Sequence, residues 1–476
     1  MIRSLPLNGG RCDGLLREPI VLAGGLLATM EPSREAPQRF RAAGCGSSPP
    51  TMVPHLLTAL KGPLLDLERR FLDATPQIER WLRLEWQEHT PPFYASVDLR
   101  NAGFKLAPVD TGLFPAGFEN LSESTLPLAV QAAMAAIEKY CPDARNLLLV
   151  PDAGSRSPAY LASVQRLAAI LRQTGLNVRF GSLDPALGAP LRIELADAST
   201  ITLEPLRRHG RRVGLVDFDP CSILINDELA SGTPTLLADL HEQVLLPPLH
   251  AGWGVRRKSQ HFAAYRDVAR RFAKLLDIDP WLIAPLHAPA TQAAFGSREA
   301  DDALAAAVDA LLRQIRGRYR EYGIQSAPFV VIKPDAGRSG AAAISVRDAA
   351  ELRRLGLRER DRLAHGPGQC FLQEGVPTVE SVDDAVAEPV VYLIDRYVVG
   401  GFYRMHAARA TDQALDAPGS QFVPLPFATS CHLPDCDADP DLAQNRFYAY
   451  GVVARLATLA AAIELEKTDP DPSLYG

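Results

Sequence analysis

From Asn146 to Asp227 the chain alternates continuous apolar runs with a helical period: "NLLLVPD", "PAYLASVQRLAAILRQTG", "LNVRFGSL" and "RVGLVDFDPCSILIND" follow one another. A run that is apolar at every position is covered on both faces, and a helix between two such runs is the crossover that parallel strands require. Few folds satisfy that order. It predicts an α/β layer on a largely parallel sheet, with the helix closed at Gly175.

Around this layer the periodicity changes. From Leu56 to Trp86 apolar residues recur at helical spacing with a break near Pro76. The stretches "RKSQHFAAYRDVARRFAKLLDID" and "EADDALAAAVDALLRQIRGRYREYG" read as two further helices, the second ending at Gly323. Strand-like pieces "FVVIK", "CFLQEGV" and "EPVVYLIDRYVVGGFYRMH" then precede a terminal helix, "NRFYAYGVVARLATLAAAIELEK", which describes an α+β lobe. Residues 1–51, rich in Gly, Pro, Ser and Arg, read as a disordered extension or a mis-assigned start ahead of Met52. The remaining boundaries fall at 52–240 for an N-terminal α/β domain, 241–325 for a helical subdomain and 326–476 for the α+β lobe.

Composition removes several functional classes. With 476 residues, 47% hydrophobic and 22% charged, the chain can bury two or three cores. A net charge of -6 and a pI near 6.0 disfavour nucleic acid and anionic membrane as partners. Seven scattered cysteines, odd in number and sparse, point to a reducing compartment, the cytoplasm, rather than to a disulfide framework. No apolar run reaches the ~18 residues that a membrane-spanning helix requires. Cys431, His432 and Cys436 lack a second Cys pair and lie in a Pro/Asp-rich loop, which disfavours zinc. Homo-oligomerisation is left open.

The stretch "FVVIKPDAGRSGAAAISV" sets Lys333 at the end of a buried-type strand, ahead of Gly337 and Gly340. Glycines relieve the usual φ limits, so this is either a phosphate-covering loop or a hairpin turn. Downstream, Gln373, Glu374, Val376, Asp395, Arg404 and Asp416 follow in one lobe. Taken singly, each has an ordinary reading as a turn carboxylate or surface ion pair.

Taken with "FYASVDLRNAGFKLAPVDTGLFPAGFENL", "GWGVRRKSQHF", "IDPWLIAP", "PFVVIKPDAG", "QEGVPTVE", "AEPVVYLID" and "GGFYRMH", these residues resemble the proteobacterial glutamate-cysteine ligases related to the ATP-grasp enzymes, from about Phe93 to near Phe427. The resemblance implies an ATP-grasp-like α/β fold in which 241–325 and 326–476 are the two ATP-grasp subdomains behind an N-terminal substrate domain. It implies joining of glutamate to cysteine through an acyl phosphate, the first step of glutathione synthesis, with ATP and Mg²⁺ as cofactors. A ligase of the same mechanism with other amino-acid substrates, or a nucleotide-binding protein of weakened catalysis, are the alternatives. Because both chemical steps build negative charge, Lys258, Lys333 and Arg404 are implied at the phosphates, with Gly337 and Gly340 in the covering loop. Gln373, Glu374 and Val376 are implied at adenine and ribose, and Asp395, Asp416 and Gln413 at Mg²⁺. Asp98, Arg100, Asn101, Lys105 and Arg156 are implied at the amino-acid substrate, with Asp98 on the α-ammonium and Arg100 or Lys105 on a carboxylate; a structural ion-pair network is the other reading of that window.

Three stretches depart from the family pattern. Where it carries "GTYGMGI", this chain has Gly337-Arg338-Ser339-Gly340-Ala341-Ala342-Ala343; where it carries "ENLNAPG", this chain runs from Gln413 to Gly419 and gains Asp416; where it carries "HTRN", this chain has Gly154-Ser155-Arg156-Ser157. The first change exchanges backbone freedom for methyl groups, and the second moves a carboxylate.

Overall fold

Helix α1 (Pro63–Asp73) stops just before Pro76 and α2 (Thr75–Glu88) restarts with that proline in its first turn, where a missing N–H costs nothing. The computed structural model describes residues 56–57, 63–292, 298–337, 342–363, 369–425 and 446–470, all of which belong to one contact unit beginning at Pro54. The extension 1–51, Gly340 and the Cys431-His432-Cys436 cluster lie outside these residues. After α2, strands β1 (Tyr94–Asn101) and β2 (Leu106–Gly112) form an antiparallel hairpin.

The alternating region forms the expected layer. Helix α3 (Leu126–Tyr140), strand β3 (Asn146–Pro151), helix α4 (Pro158–Gln173) and strands β4 (Asn177–Ser182), β5 (Leu191–Glu194), β6 (Thr200–Pro205), β7 (Ser222–Asn226) and β8 (Val244–Leu246) follow in turn. The strands make one sheet in the order β8-β7-β3-β4-β6-β5, parallel throughout except for the β5–β6 pair. Gly175 lies just beyond α4 at φ 90°, a conformation that suits glycine and ends the helix.

Next come α5 (Lys258–Leu276), β9 (His287–Gln292), α6 (Arg298–Glu321), β10 (Val330–Pro334), β11 (Ile344–Val346) and β12 (Gln369–Glu374). Here the four strands form an antiparallel sheet, β9-β12-β10-β11, against which the apolar stripe of α6 packs through Leu304, Val308, Leu312 and Ile315.

Strands β13 (Ser381–Val382), β14 (Ala385–Ile394), β15 (Tyr397–His406) and β16 (Gln421–Pro424) then return to the first hairpin. Pairing of β14 with β1 builds the central antiparallel sheet, β2-β1-β14-β15-β16, with β13 and the short Leu56–Leu57 strand along the edge of β14. The last third of the chain therefore serves two sheets, one completed by β9 and one shared with the N-terminal hairpin.

Helix α7 (Arg446–Thr468) lies behind the central sheet, with α1, α2 and α5 packed on it. Its span Phe447–Thr468 is long and apolar enough to cross a membrane, contrary to the expectation that no such run exists. That window is 94% buried inside the protein, so it is the core helix. Apolar character on nearly every side is what a fully enclosed helix requires.

Candidate active site

Strand alternation places one face of the central sheet in two halves. Tyr94, Val390, Tyr392, Ile394 and Phe402 pack against α3 and α4 in an apolar core. Farther along the same strands, at positions two residues apart, the face becomes charged: Asp98 and Arg100 on β1, Glu388 on β14 and Arg404 on β15. Asp98 lies opposite Asp110 of β2, and Glu388 lies opposite Arg404. The back of these strands meets α7, so the charged half is a floor with a cleft above it.

The cleft has two chambers. The first lies between this floor and the small sheet, lined by Asp98, Arg100, Lys333, Gln373, Val376 and Gln413 among others. The second runs toward the parallel layer, lined by Glu119, Asn120, Tyr160, Glu228, Trp253 and Tyr392 among others. Asp98, Asp110, Arg404 and Asp416 belong to both walls and form the divide.

Charges at the divide are tightly coupled. Arg404 Nη1 donates to Asp98 at 2.7 Å and to Glu388 at 3.0 Å, while its buried Nε has no hydrogen-bond partner. Burial, with Glu388 and Asp110 nearby, outweighs Arg404 and pushes the Asp98 carboxyl up to about 6. Lys333 is buried and donates to the Val109 carbonyl at 2.6 Å, which joins β10 to β2. Burial lowers its pKa against the pull of Asp110 and Asp98.

Lys258 starts α5 and is positioned from several sides. Arg256, two residues earlier, pairs with Glu464 of α7 at 2.9 Å and donates to the Thr111 carbonyl at 2.7 Å. Asp335, from the loop after β10, caps α5 across the fold: its carboxylate accepts from Ser259 N and Oγ, both at 2.8 Å. The Lys258 ammonium lies 4.0 Å above the Trp253 ring and donates to the Gly337 carbonyl; burial pulls its pKa down to about 8. Gly337 adopts φ 84°, so the loop after Lys333 turns where only glycine does so readily. This brings Lys258 and Gly337 together, with Lys333 and Asp110 nearby.

Several residues expected at ligands are engaged in bracing. Lys105 and Glu374 are fully buried against each other at 2.7 Å, Lys105 sits 4.1 Å over Trp281, and the Glu374 carboxylate also takes Trp281 Nε1 and Leu286 N. With its acceptors turned to these donors, Glu374 is a joint between the hairpin and β12, and it also lines the first chamber. Arg100 binds Glu388 at 2.8 Å and donates to the carbonyls of Val376, Thr411 and Gln413, holding the 411–416 loop over the cleft. Asn101 donates to Glu380, just before β13, and accepts from Gly103 N within the hairpin. Asp395 sits at the β14–β15 turn near Lys139, seven residues from Glu388 along the strand, about 23 Å at the usual rise of ~3.3 Å per residue. That separation removes it from the cleft carboxylates. Arg156 is exposed between Ser155 and Ser157, which line the second chamber. Gln373 and Val376 line the first chamber alongside Arg100 and Glu374, and the buried Gln373 Nε2 has no partner.

Sequence reasoning passed over Asp110, Glu388, Glu119 and Asp335. For the first two a signal exists, a charge in the inward phase of strands that are otherwise apolar on that face. Glu119 and Asp335 sit in loops with no such phase.

Among the described residues no group of three His, Cys, Asp or Glu side chains is close enough to cage a metal alone. Mg²⁺ needs only one or two carboxylates when water and phosphate complete its shell, and the crowded carboxylates of the divide suit it.

Comparison with known proteins shows the family. The glutamate-cysteine ligase family model, GshA, matches residues 68–465. A crystal structure named "Putative gamma-glutamylcysteine synthetase" from Methylobacillus flagellatus KT is 54% identical, covers 88% of this chain and 100% of its own, and superposes with a TM-score of 0.81. A glutathione synthetase-like effector (GSS30) from Globodera pallida is 10% identical over 74% of this chain and 84% of its own, with a TM-score of 0.34, too low to bear on the fold. No curated protein sequence matches. With a family model spanning both chambers and the sheet between them, the chain belongs to the glutamate-cysteine ligase family and is an ATP-dependent ligase of glutathione biosynthesis.

Proposed function

We propose that the two chambers divide the reaction: the nucleotide lies in the first, the amino acids in the second, and the phosphoryl group crosses at Asp98, Asp110, Arg404 and Asp416. The observation that carries this reading is that these four residues line both chambers. In the first chamber Gln373 Nε2 offers an unused donor and Val376 an apolar wall, which suits adenine. The four-stranded sheet with α6 then acts as the ATP-grasp cover.

Mg²⁺ at this site would supply positive charge to offset that of the phosphates. Asp98, Asp110, Glu388 and Asp416 are the residues that would hold it, while Gln413 contributes its carbonyl to Arg100 and its side chain to Ala410 N. Lys333 and Lys258 stabilise charge that grows on the transferred group, and Arg404 holds the accepting carboxylate in line. Glutamate thereby becomes a γ-acyl phosphate, and the cysteine amine displaces phosphate to leave the amide. The described cysteines, Cys141, Cys221 and Cys370, are free thiols, consistent with a cytoplasmic setting.

The test is ADP release by the purified chain with MgATP, glutamate and cysteine, alone and together, with mass detection of γ-glutamylcysteine. Dipeptide only with both amino acids and Mg²⁺ is expected. ADP formed with glutamate but without dipeptide under any cysteine concentration would refute cysteine as acceptor.

A further inference from the structure

Among the buried polar atoms that line the second chamber, two are of opposite demand. Arg404 Nε, a donor, lies at the divide, and Glu119 Oε2, an acceptor, lies in the second chamber only; neither has a hydrogen-bond partner. A buried group left unpaired costs free energy, so such atoms in a binding cleft mark positions that a ligand satisfies. An anion is wanted at the divide and a cation farther in.

Glu119 is held there deliberately by the local chain. It sits in the short turn Phe118–Asn120 that follows Gly117 at φ 100°, where a Cβ would come within 2.7 Å of the Tyr392 hydroxyl oxygen. Ser163 of α4 accepts from the backbone N–H groups of Gly117 and Phe118 at 2.8 and 3.1 Å, fixing the turn against the helix. The Asn120 amide donates to Glu119 Oε1 at 3.1 Å, which leaves Oε2 for something else. Burial raises the Glu119 carboxyl, opposed by its own backbone, Ser163 and Asn120.

We infer that Glu119 binds the α-ammonium of glutamate while Arg404 Nε takes its γ-carboxylate, so that the pair sets both the identity and the direction of the acyl donor. This rests on the proposed division of the chambers and assigns the ammonium to a residue other than Asp98, whose carboxylate is held by Arg404. Glutamate is the amino acid that fits this order. Its reacting carboxylate belongs at the divide and its ammonium stays charged throughout, whereas the cysteine amine must lose its proton to attack. A single carboxylate with one free oxygen suits an ammonium better than a divalent metal.

Calorimetric titration of the full chain, saturated with Mg²⁺ and a non-hydrolysable ATP analogue, tests the assignment with glutamate and with glutarate, which is glutamate without its amino group. The wild type is expected to prefer glutamate. In Glu119→Gln that preference falls on the order of a hundredfold, as expected for a buried charge-assisted bond. Glutarate affinity stays within about twofold, and Glu119→Asp recovers part of the preference. Equal affinities in the wild type, unchanged discrimination in the variant, or a parallel loss of both ligands would each overturn the inference. Failure of the ligase reading shows differently, as glutamate binding without ADP release.

Discussion

At the scale of single residues, the divide is a place where charge is expensive and used. Lys333 is the cation that reaches the first chamber from the small sheet, and its removal strips stabilisation from the transferred phosphoryl group. Lys333→Ala should lower ADP release on the order of a hundredfold or more with the circular dichroism of the native chain retained, and unchanged turnover would remove Lys333 from the reaction. Asp98 permits a pH argument. Its folded pKa, about 6, lies above the unfolded value near 3.8, so the native state binds the extra proton between these pH values. Stability contributed by protonated Asp98 is lost as pH rises through about 6, and the full cost of the ionised form stands above it. In metal-free protein, Asp98→Asn is therefore expected to stabilise the fold by up to about 3 kcal/mol at pH 8 and by little at pH 4, read from urea denaturation at both values.

At the scale of elements, α5 is the clearest case of an end supplied from elsewhere. Its N-cap, Arg257, offers no side-chain acceptor, and Asp335 reaches in from the loop after β10 to take Ser259 N and Oγ. Asp335→Ala should cost about 1–2 kcal/mol in denaturation and raise KM for MgATP, since the same contact sets Lys258 beside Gly337. A loss of stability with no change in KM would uncouple the cap from the cleft. Local periodicity made most elements legible in the sequence: the break at Pro76, the ends at Gly175 and Gly323 and the parallel layer all follow from it, whereas the piece read as one strand from Glu388 to His406 is two strands, β14 and β15, turning at Asp395. Partnerships across the chain were not legible. Asp335 and Ser259 stand 76 positions apart, and no pattern in either segment names the other. For the same reason the pairing of Lys105 with Glu374 was not legible, because polar residues in a motif look alike until their partners are known.

At the scale of the whole molecule, buried ion pairs join sheets that periodicity alone leaves separate. The Lys105–Glu374 pair fastens the central hairpin to the small sheet, fully out of solvent. Breaking it strands a buried charge, so Glu374→Gln is expected to destabilise by about 3–5 kcal/mol, measured as a drop in the thermal midpoint with the nucleotide KM of surviving protein little changed. A large rise in that KM with normal stability would instead restore Glu374 to the nucleotide.

The central sheet has a consequence for how the protein is made. Strand β1 pairs with β14, which leaves the ribosome nearly three hundred residues later, and Arg404 follows on β15. During translation the parallel layer has sequence-local partners and can begin to order, while β1 and β2 wait with their charged face uncovered and α5 waits for α7. No nascent chain shorter than β15 can carry both sides of the divide. The ligase thus acquires its chemistry only near the end of synthesis, and for most of that time hairpin β1–β2 is an open edge that a chaperone has reason to cover.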